Sequence, residues 1–114
     1  MMVNEQRLDA IFGALSDPTR RRIVERLARG PLSVGEIASA FPISQPAISR
    51  HVRVLEESGL LERRIDGRLH RCRLSPEGIT AASAWLDRQR TFWNAALDRL
   101  ETVLAHSSHK RKKR

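Results

Sequence analysis

A cluster of polar and basic side chains in residues 44–53 has the composition of a surface that reads DNA bases. Gln can make two hydrogen bonds to adenine, and Arg can make two to guanine or can hold a phosphate. A Ser at position 44 suits a helix N-cap, where free backbone N–H groups also attract a phosphate oxygen. His51 either contacts DNA or packs on the helix surface, and its neighbours favour DNA. The predicted contact residues are Ser44, Gln45, Pro46, Ser49, Arg50, His51 and Arg53.

A second basic cluster follows, with five arginines and one acid, Asp66, between residues 63 and 73. The central Asp66-Gly67 pair is a favoured β-hairpin turn. A two-stranded ribbon of this kind can lie along a DNA backbone or enter a minor groove. The alternative is a strand edge whose charge only prevents aggregation. A basic hairpin directly after a basic helix favours DNA, and the predicted contacts are Arg63, Arg64, Arg68 and Arg71.

The elements that must position these clusters form a helix-turn-helix followed by a hairpin. Ser33 and Glu36 have the spacing of a capping box, which opens a short helix. The next helix, over about 45–58, has the apolar stripe Ile48, Val52 and Leu55. The alternative for this helix alone is an ordinary amphipathic surface helix with solvated polar residues.

The rest of the chain supplies further helices at both ends. We predict a first helix over 5–15, a second that starts at Asp17-Pro18, hairpin strands over 61–65 and 69–74, and a long last helix from Ser75-Pro76 to about 105. The fold class is therefore mainly α with a small β-hairpin. The architecture is a winged helix-turn-helix with additional N- and C-terminal dimerisation helices.

Length and charge limit the possible functions. The 114 residues allow one domain, predicted over 1–105, and a disordered basic tail over 106–114. Five of the eight excess positive charges lie in residues 110–114, which leaves +3 for the rest of the chain. There is no run of 18 apolar residues and no signal peptide, and the single cysteine, Cys72, suits a reducing cytosol. We expect a cytoplasmic protein.

Several short motifs together resemble the ArsR family of bacterial regulators. They are residues 14–20, Ile37-Ala38, Ser44 to Leu55, Gly59-Leu60-Leu61 and Asp66-Gly67-Arg68, and the resemblance spans roughly residues 8–104. It implies a homodimeric winged-helix repressor on a palindromic operator, with the first and last helices forming the dimer interface. The implied interface residues are Leu8, Ile11, Phe12, Leu15, Leu86, Trp93, Leu97 and Leu100.

The sequence departs from the metal-sensing members of that family. Those members carry Cys-x-Cys in the first helix of the helix-turn-helix, where this chain has Ser33 and Gly35. Others begin a site on the last helix with Asp-x-His, where this chain has Asp87-Arg88-Gln89. Because Ser and Gly cannot replace a thiolate or imidazole, the metal-independent branch is favoured, and neither metal nor cofactor is predicted.

The predicted function is sequence-specific binding of double-stranded DNA by a homodimeric transcriptional regulator. No nucleophile with a paired base, Gly-rich phosphate loop or carboxylate pair indicates an enzyme. No membrane partner is expected, and nothing in the sequence indicates a small-molecule effector. The alternative is a winged-helix module for protein–protein interaction, which needs no basic hairpin.

Overall fold

The computed structural model describes residues 2–112, with side chains described from residue 5 to residue 107. Two compact units are present, one up to Ala82 and one from Ser83 onward. The elements follow the predicted order, with one strand in addition. They are α1 (Met2–Ala14), α2 (Pro18–Leu27), β1 (Leu32–Ser33), α3 (Val34–Ala40), α4 (Gln45–Ser58), β2 (Leu61–Asp66), β3 (Leu69–Leu74) and α5 (Pro76–Lys112).

The first unit packs around α4. The predicted stripe of Ile48, Val52 and Leu55 is completely buried, and α4 contacts α1, α2, α3 and β2. Ile11 on α1 is also 0% exposed, so this residue belongs to the core and not, as predicted, to a dimer interface. A side chain with no accessible surface in the single chain has nothing left for a partner to cover.

The predicted helix starts are confirmed by their hydrogen bonds. Asp17 accepts the backbone N–H of Arg20 at 3.0 Å, which begins α2. Ser33 and Glu36 satisfy each other's backbone N–H groups at 3.1 and 2.8 Å, a complete capping box for α3. Ser44 accepts the backbone N–H of Ala47 at 3.3 Å and begins α4.

The sheet has one more strand than the sequence predicts. β1 pairs with β3 antiparallel, with Leu32 opposite Cys72, and the strand order is β1-β3-β2. A two-residue strand is too short for alternation to be visible in the sequence.

The hairpin turn is displaced by one residue from the predicted Asp66-Gly67 pair. Asp66 pairs with Leu69, so the turn residues are Gly67 and Arg68. Gly67 has φ +64, and no described non-glycine residue has a positive φ. Glycine first and a negative φ second is the pattern of a type II′ turn, which matches the twist of the flanking strands.

The corner between α4 and β2 requires two glycines. Gly59 ends α4 as predicted, in the left-handed conformation with φ +89. Gly78, in the first turn of α5, lies so close to this corner that a Cβ there would overlap the Gly59 carbonyl oxygen. The sequence analysis did not identify Gly78, because a glycine near a helix start has no local pattern of its own.

The last helix extends beyond its predicted end near residue 105. Its backbone is helical to Lys112, which differs from the disorder predicted from 106, while residues 113 and 114 lie outside the described residues. No Gly or Pro interrupts 106–112, and basic side chains at a helix C-terminus interact favourably with its dipole. The domain boundary at 105 stays a prediction.

The second unit exposes a broad apolar surface on α5. Phe92 and Trp93 pack edge to face, with ring centroids 5.4 Å apart. Seven large apolar side chains of this unit are 47–62% exposed, and they are Leu86, Phe92, Trp93, Leu97, Leu100, Val103 and Leu104. Among the described helices, none is both long and apolar enough to span a bilayer.

Candidate nucleic-acid interface

One face of α4 is polar and open to solvent because the opposite face fills the core. Every predicted contact residue on this helix except His51 is exposed. Pro46 stands in the first turn, where its missing N–H costs no hydrogen bond. The exposed set is Ser44, Gln45, Pro46, Ser49, Arg50 and Arg53.

A groove joins this helix to the tip of the hairpin. Gln45 and Ser49 from α4 and Arg68 from the turn are among the residues that line it. The start of α3 contributes as well, so three elements converge on one surface. The groove is lined by Ser33, Val34, Gly35, Gln45, Ser49, Arg63, Arg68, Leu69 and His70. The arrangement places amide, hydroxyl and guanidinium groups within reach of one extended polyanion.

Arg63 joins the hairpin to α4. Its Nη2 lies 3.2 Å from Glu56 Oε1, and its Nη1 lies 3.2 Å from Nδ1 of His70. The side chain is only 21% exposed, and among the described residues its buried Nε has no hydrogen-bond partner. This position differs from the free phosphate contact predicted for Arg63. Sequence reasoning also missed His70, whose strand alternation places it on the same face.

Arg64 and Arg71 lie on the other face of the hairpin. They stand directly opposite each other in the antiparallel register, and both are exposed. Arg73 on the same face is paired with Glu62, at 2.8 Å between Nη2 and Oε2. Arg63, Arg64 and Arg71 line a separate depression together with Arg73. Of the four predicted wing arginines, Arg63 and Arg68 line the groove shared with α4, so the four do not form one cluster.

His51 is turned toward the corner between α1 and α2. Its Nδ1 lies 3.4 Å from Nη1 of Arg20 and 3.9 Å from Oδ2 of Asp17. The ring is only 22% exposed, so it is not part of the open face of α4. The sequence analysis did not identify this contact, because helical periodicity assigns a residue to a face but gives it no partner.

Neither metal coordination nor thiol chemistry is supported by the described side chains. Within residues 5–107, no group of three or more His, Cys, Asp or Glu could hold a metal ion. Cys72 is completely buried, and this burial raises the pKa of its thiol. A thiol with a raised pKa stays protonated near neutral pH and reacts slowly.

Comparison with known proteins finds a helix-turn-helix family model and similar transcriptional regulators. A family model described as a helix-turn-helix domain matches residues 15–64. The HTH-type transcriptional regulator Rv2034 of Mycobacterium tuberculosis is 47% identical over 89 residues, which is 78% of this chain and 80% of the relative. The arsenical resistance operon repressor of Escherichia coli is 36% identical over 95 residues, covering 82% and 79% of the two chains.

Solved structures of similar proteins have the same fold as this chain. A crystal structure of an ArsR family transcriptional regulator superposes with a TM-score of 0.71 and 40% identity, over 79% of this chain and 93% of that one. A solution structure of a homodimeric winged helix-turn-helix DNA-binding domain from Mycobacterium bovis gives a TM-score of 0.62 at 25% identity, over 75% and 79%.

Proposed function

Because this chain belongs to the ArsR family of helix-turn-helix regulators, we propose that it represses transcription as a homodimer bound to a palindromic operator. The observation that carries the proposal is the single groove formed by Gln45, Ser49 and Arg68. A base-reading helix and a basic ribbon on one surface are the two parts that a winged helix needs to hold DNA.

Within each half-site, the two parts have different tasks. Gln45 and Ser49 project from the first turns of α4 and would contact base edges in the major groove. Arg50 and Arg53, which are also exposed, would hold phosphates or read guanine. Arg68 at the hairpin tip would hold a phosphate beside the same groove, which fixes register without reading sequence.

The exposed stripe of α5 supports the dimer. Leu86, Trp93, Leu97 and Leu100 are each at least 47% exposed in the single chain. A continuous apolar surface of this kind marks a protein–protein interface. The remaining predicted interface residues, Leu8 and Phe12 on α1 and Leu15 just after it, are half-buried. The homodimeric relative from Mycobacterium bovis favours the same assembly here.

A two-fold dimer requires an operator with matching symmetry. Its half-sites would be spaced by one helical turn of DNA, about 34–36 Å, or a multiple of it. Occupation of a promoter by such a dimer would exclude polymerase and repress transcription in the cytoplasm. The Escherichia coli relative is named as an operon repressor, which favours repression over activation here. The proposal includes no metal or other cofactor.

A gel shift with the protein's own upstream region, at two salt concentrations, tests the proposal. We expect a discrete complex that survives competition by a scrambled duplex of equal length and weakens as salt rises. Equal competition by both duplexes would contradict sequence-specific binding. The absence of any complex at low salt would instead favour the alternative, a winged helix that binds another protein.

A further inference from the structure

A small polar network connects α4 to the corner between α1 and α2. Its members are Asp17, Arg20 and His51, and each of the three side chains is half-buried. Asp17 accepts the backbone N–H of Arg20 at 3.0 Å, and the Arg20 guanidinium lies 3.4 Å from His51 Nδ1. Asp17 Oδ2 lies 3.9 Å from the same nitrogen.

The chemistry of arginine fixes the direction of this contact. A guanidinium has five N–H donors and no acceptor. The His51 nitrogen that faces it must therefore accept, which places the ring proton on Nε2 when the imidazole is neutral. His51 Nδ1 is consequently occupied within the chain.

The same guanidinium also holds the end of α1. Nε of Arg20 donates to the Ala14 carbonyl oxygen at 2.5 Å, and its Nη2 lies 3.4 Å from the Gly13 carbonyl oxygen. The last carbonyls of a helix have no partner within the helix. Arg20 satisfies that of Ala14, and it adds a longer contact to that of Gly13, which already accepts from Ser16. One side chain thus joins the end of α1, the start of α2 and the second turn of α4.

We propose that His51 is a positioning residue, which sets the placement of α4 through Arg20 and does not itself read DNA. The proposal rests on the proposed function, since it concerns how Gln45 and Ser49 reach base edges. Contacts of this kind require placement to within about 0.5 Å, and a helix anchored at His51 holds the turns before it in register. His51 lies less than two helical turns after Gln45, on the side turned away from the groove.

Two isosteric substitutions separate positioning from reading. The amide of Asn reaches as far from Cβ as Nδ1 of His, whereas the amide of Gln reaches as far as Nε2. His51→Asn therefore keeps an acceptor for Arg20 and removes the outward group. His51→Gln keeps an outward polar group and loses the acceptor position. A positioning role predicts that Asn retains function and Gln loses it, and a reading role predicts the reverse.

The experiment measures binding to the protein's own upstream duplex and to a scrambled duplex of equal length. Each variant is assayed below its unfolding temperature, checked by circular dichroism, and its oligomeric state is checked by light scattering. We expect His51→Asn to bind the upstream duplex within about threefold of wild type and His51→Gln to lose about tenfold. Binding to the scrambled duplex should be the same for all three proteins, which a general loss of folding would not produce.

Arg20→Lys provides the second arm. Lysine keeps the charge but not the planar fork, so it should weaken binding to the upstream duplex as His51→Gln does. Adding His51→Gln to Arg20→Lys should then cause no further loss, because both changes break one link. Additive losses would overturn the proposal, and so would a His51→Asn variant no better than His51→Gln. If wild type itself does not prefer the upstream duplex, the proposed function fails first.

Discussion

The carboxylates of Asp17 and Glu36 accept backbone hydrogen bonds at the starts of α2 and α3. Their negative charge makes the fold sensitive to acid. The pKa of Asp17 is lowered, chiefly by the hydrogen bond from the Arg20 backbone N–H, and that of Glu36 chiefly by the Ser33 backbone N–H. A folded pKa below the unfolded value means that the stabilisation is complete above the ordinary carboxyl range. It is lost as the pH falls through the folded pKa.

Asp17→Asn should therefore remove part of this acid sensitivity. Asn is also a good N-cap, so the melting temperature near pH 7 should fall only slightly. Between pH 7 and pH 3 the variant should lose less melting temperature than wild type, as measured by circular dichroism. Asp9→Asn is the matched control, since Asp9 makes no hydrogen bond or ion pair within the described residues. If Asp17→Asn loses as much melting temperature between pH 7 and pH 3 as wild type does, the acid sensitivity does not come from Asp17.

Gly78→Ala tests the close approach of α5 to the corner between α4 and β2. A methyl group there would overlap the Gly59 carbonyl oxygen, so backbone must move. We expect a loss of about 1–3 kcal/mol in the free energy of unfolding, measured by urea titration. Gly13→Ala is the control, because nothing lies within 4 Å of a Cβ at that helical position. That substitution should be neutral or stabilising, and equal effects at the two sites would refute the packing explanation.

Among the elements, the wing is expected to contribute charge to binding more than sequence preference. Arg68→Ala should weaken binding to upstream and scrambled duplexes alike and reduce the slope of log K against log salt by about one. Arg73→Ala is the control, because it removes the same charge from the same hairpin. Arg73, however, is already paired with Glu62. The salt slope should therefore change less for Arg73→Ala than for Arg68→Ala. An unchanged slope for Arg68→Ala would exclude a phosphate contact at the hairpin tip.

The helices and strands also show which features of the fold can be predicted from the sequence. Helices α2, α3 and α4 were predictable because their starts depend on side chains within three residues, such as Ser33 with Glu36. Strand β1 was not, since its pairing partner Cys72 is far away in the chain. The contacts of Arg63 with Glu56 and of His51 with Arg20 were missed for the same reason. Type and spacing assign a residue to a face, whereas its partner depends on tertiary packing.

At the scale of the whole molecule, binding to two half-sites requires a dimer. Trp93→Glu places a charge in the exposed apolar stripe of α5, where desolvating it would oppose association. We expect monomers by light scattering at micromolar protein, and weaker binding to the upstream duplex. Asn94→Glu, an equal change at an exposed polar neighbour, should remain dimeric. A dimeric Trp93→Glu protein would place the interface elsewhere.

In the proposed complex, α4 and the hairpin tip of each protomer contact the same half-site. Ser49→Cys and Arg68→Cys each create an exposed thiol that can carry an iron chelate for local DNA cleavage. The native Cys72 is buried, and its raised pKa keeps it from competing for the label. Both labels should cut the upstream duplex within one half-site, and the pattern should repeat symmetrically about 10 base pairs, or a multiple of that, away. Cleavage by the two labels in unrelated places, or by neither, would contradict the account.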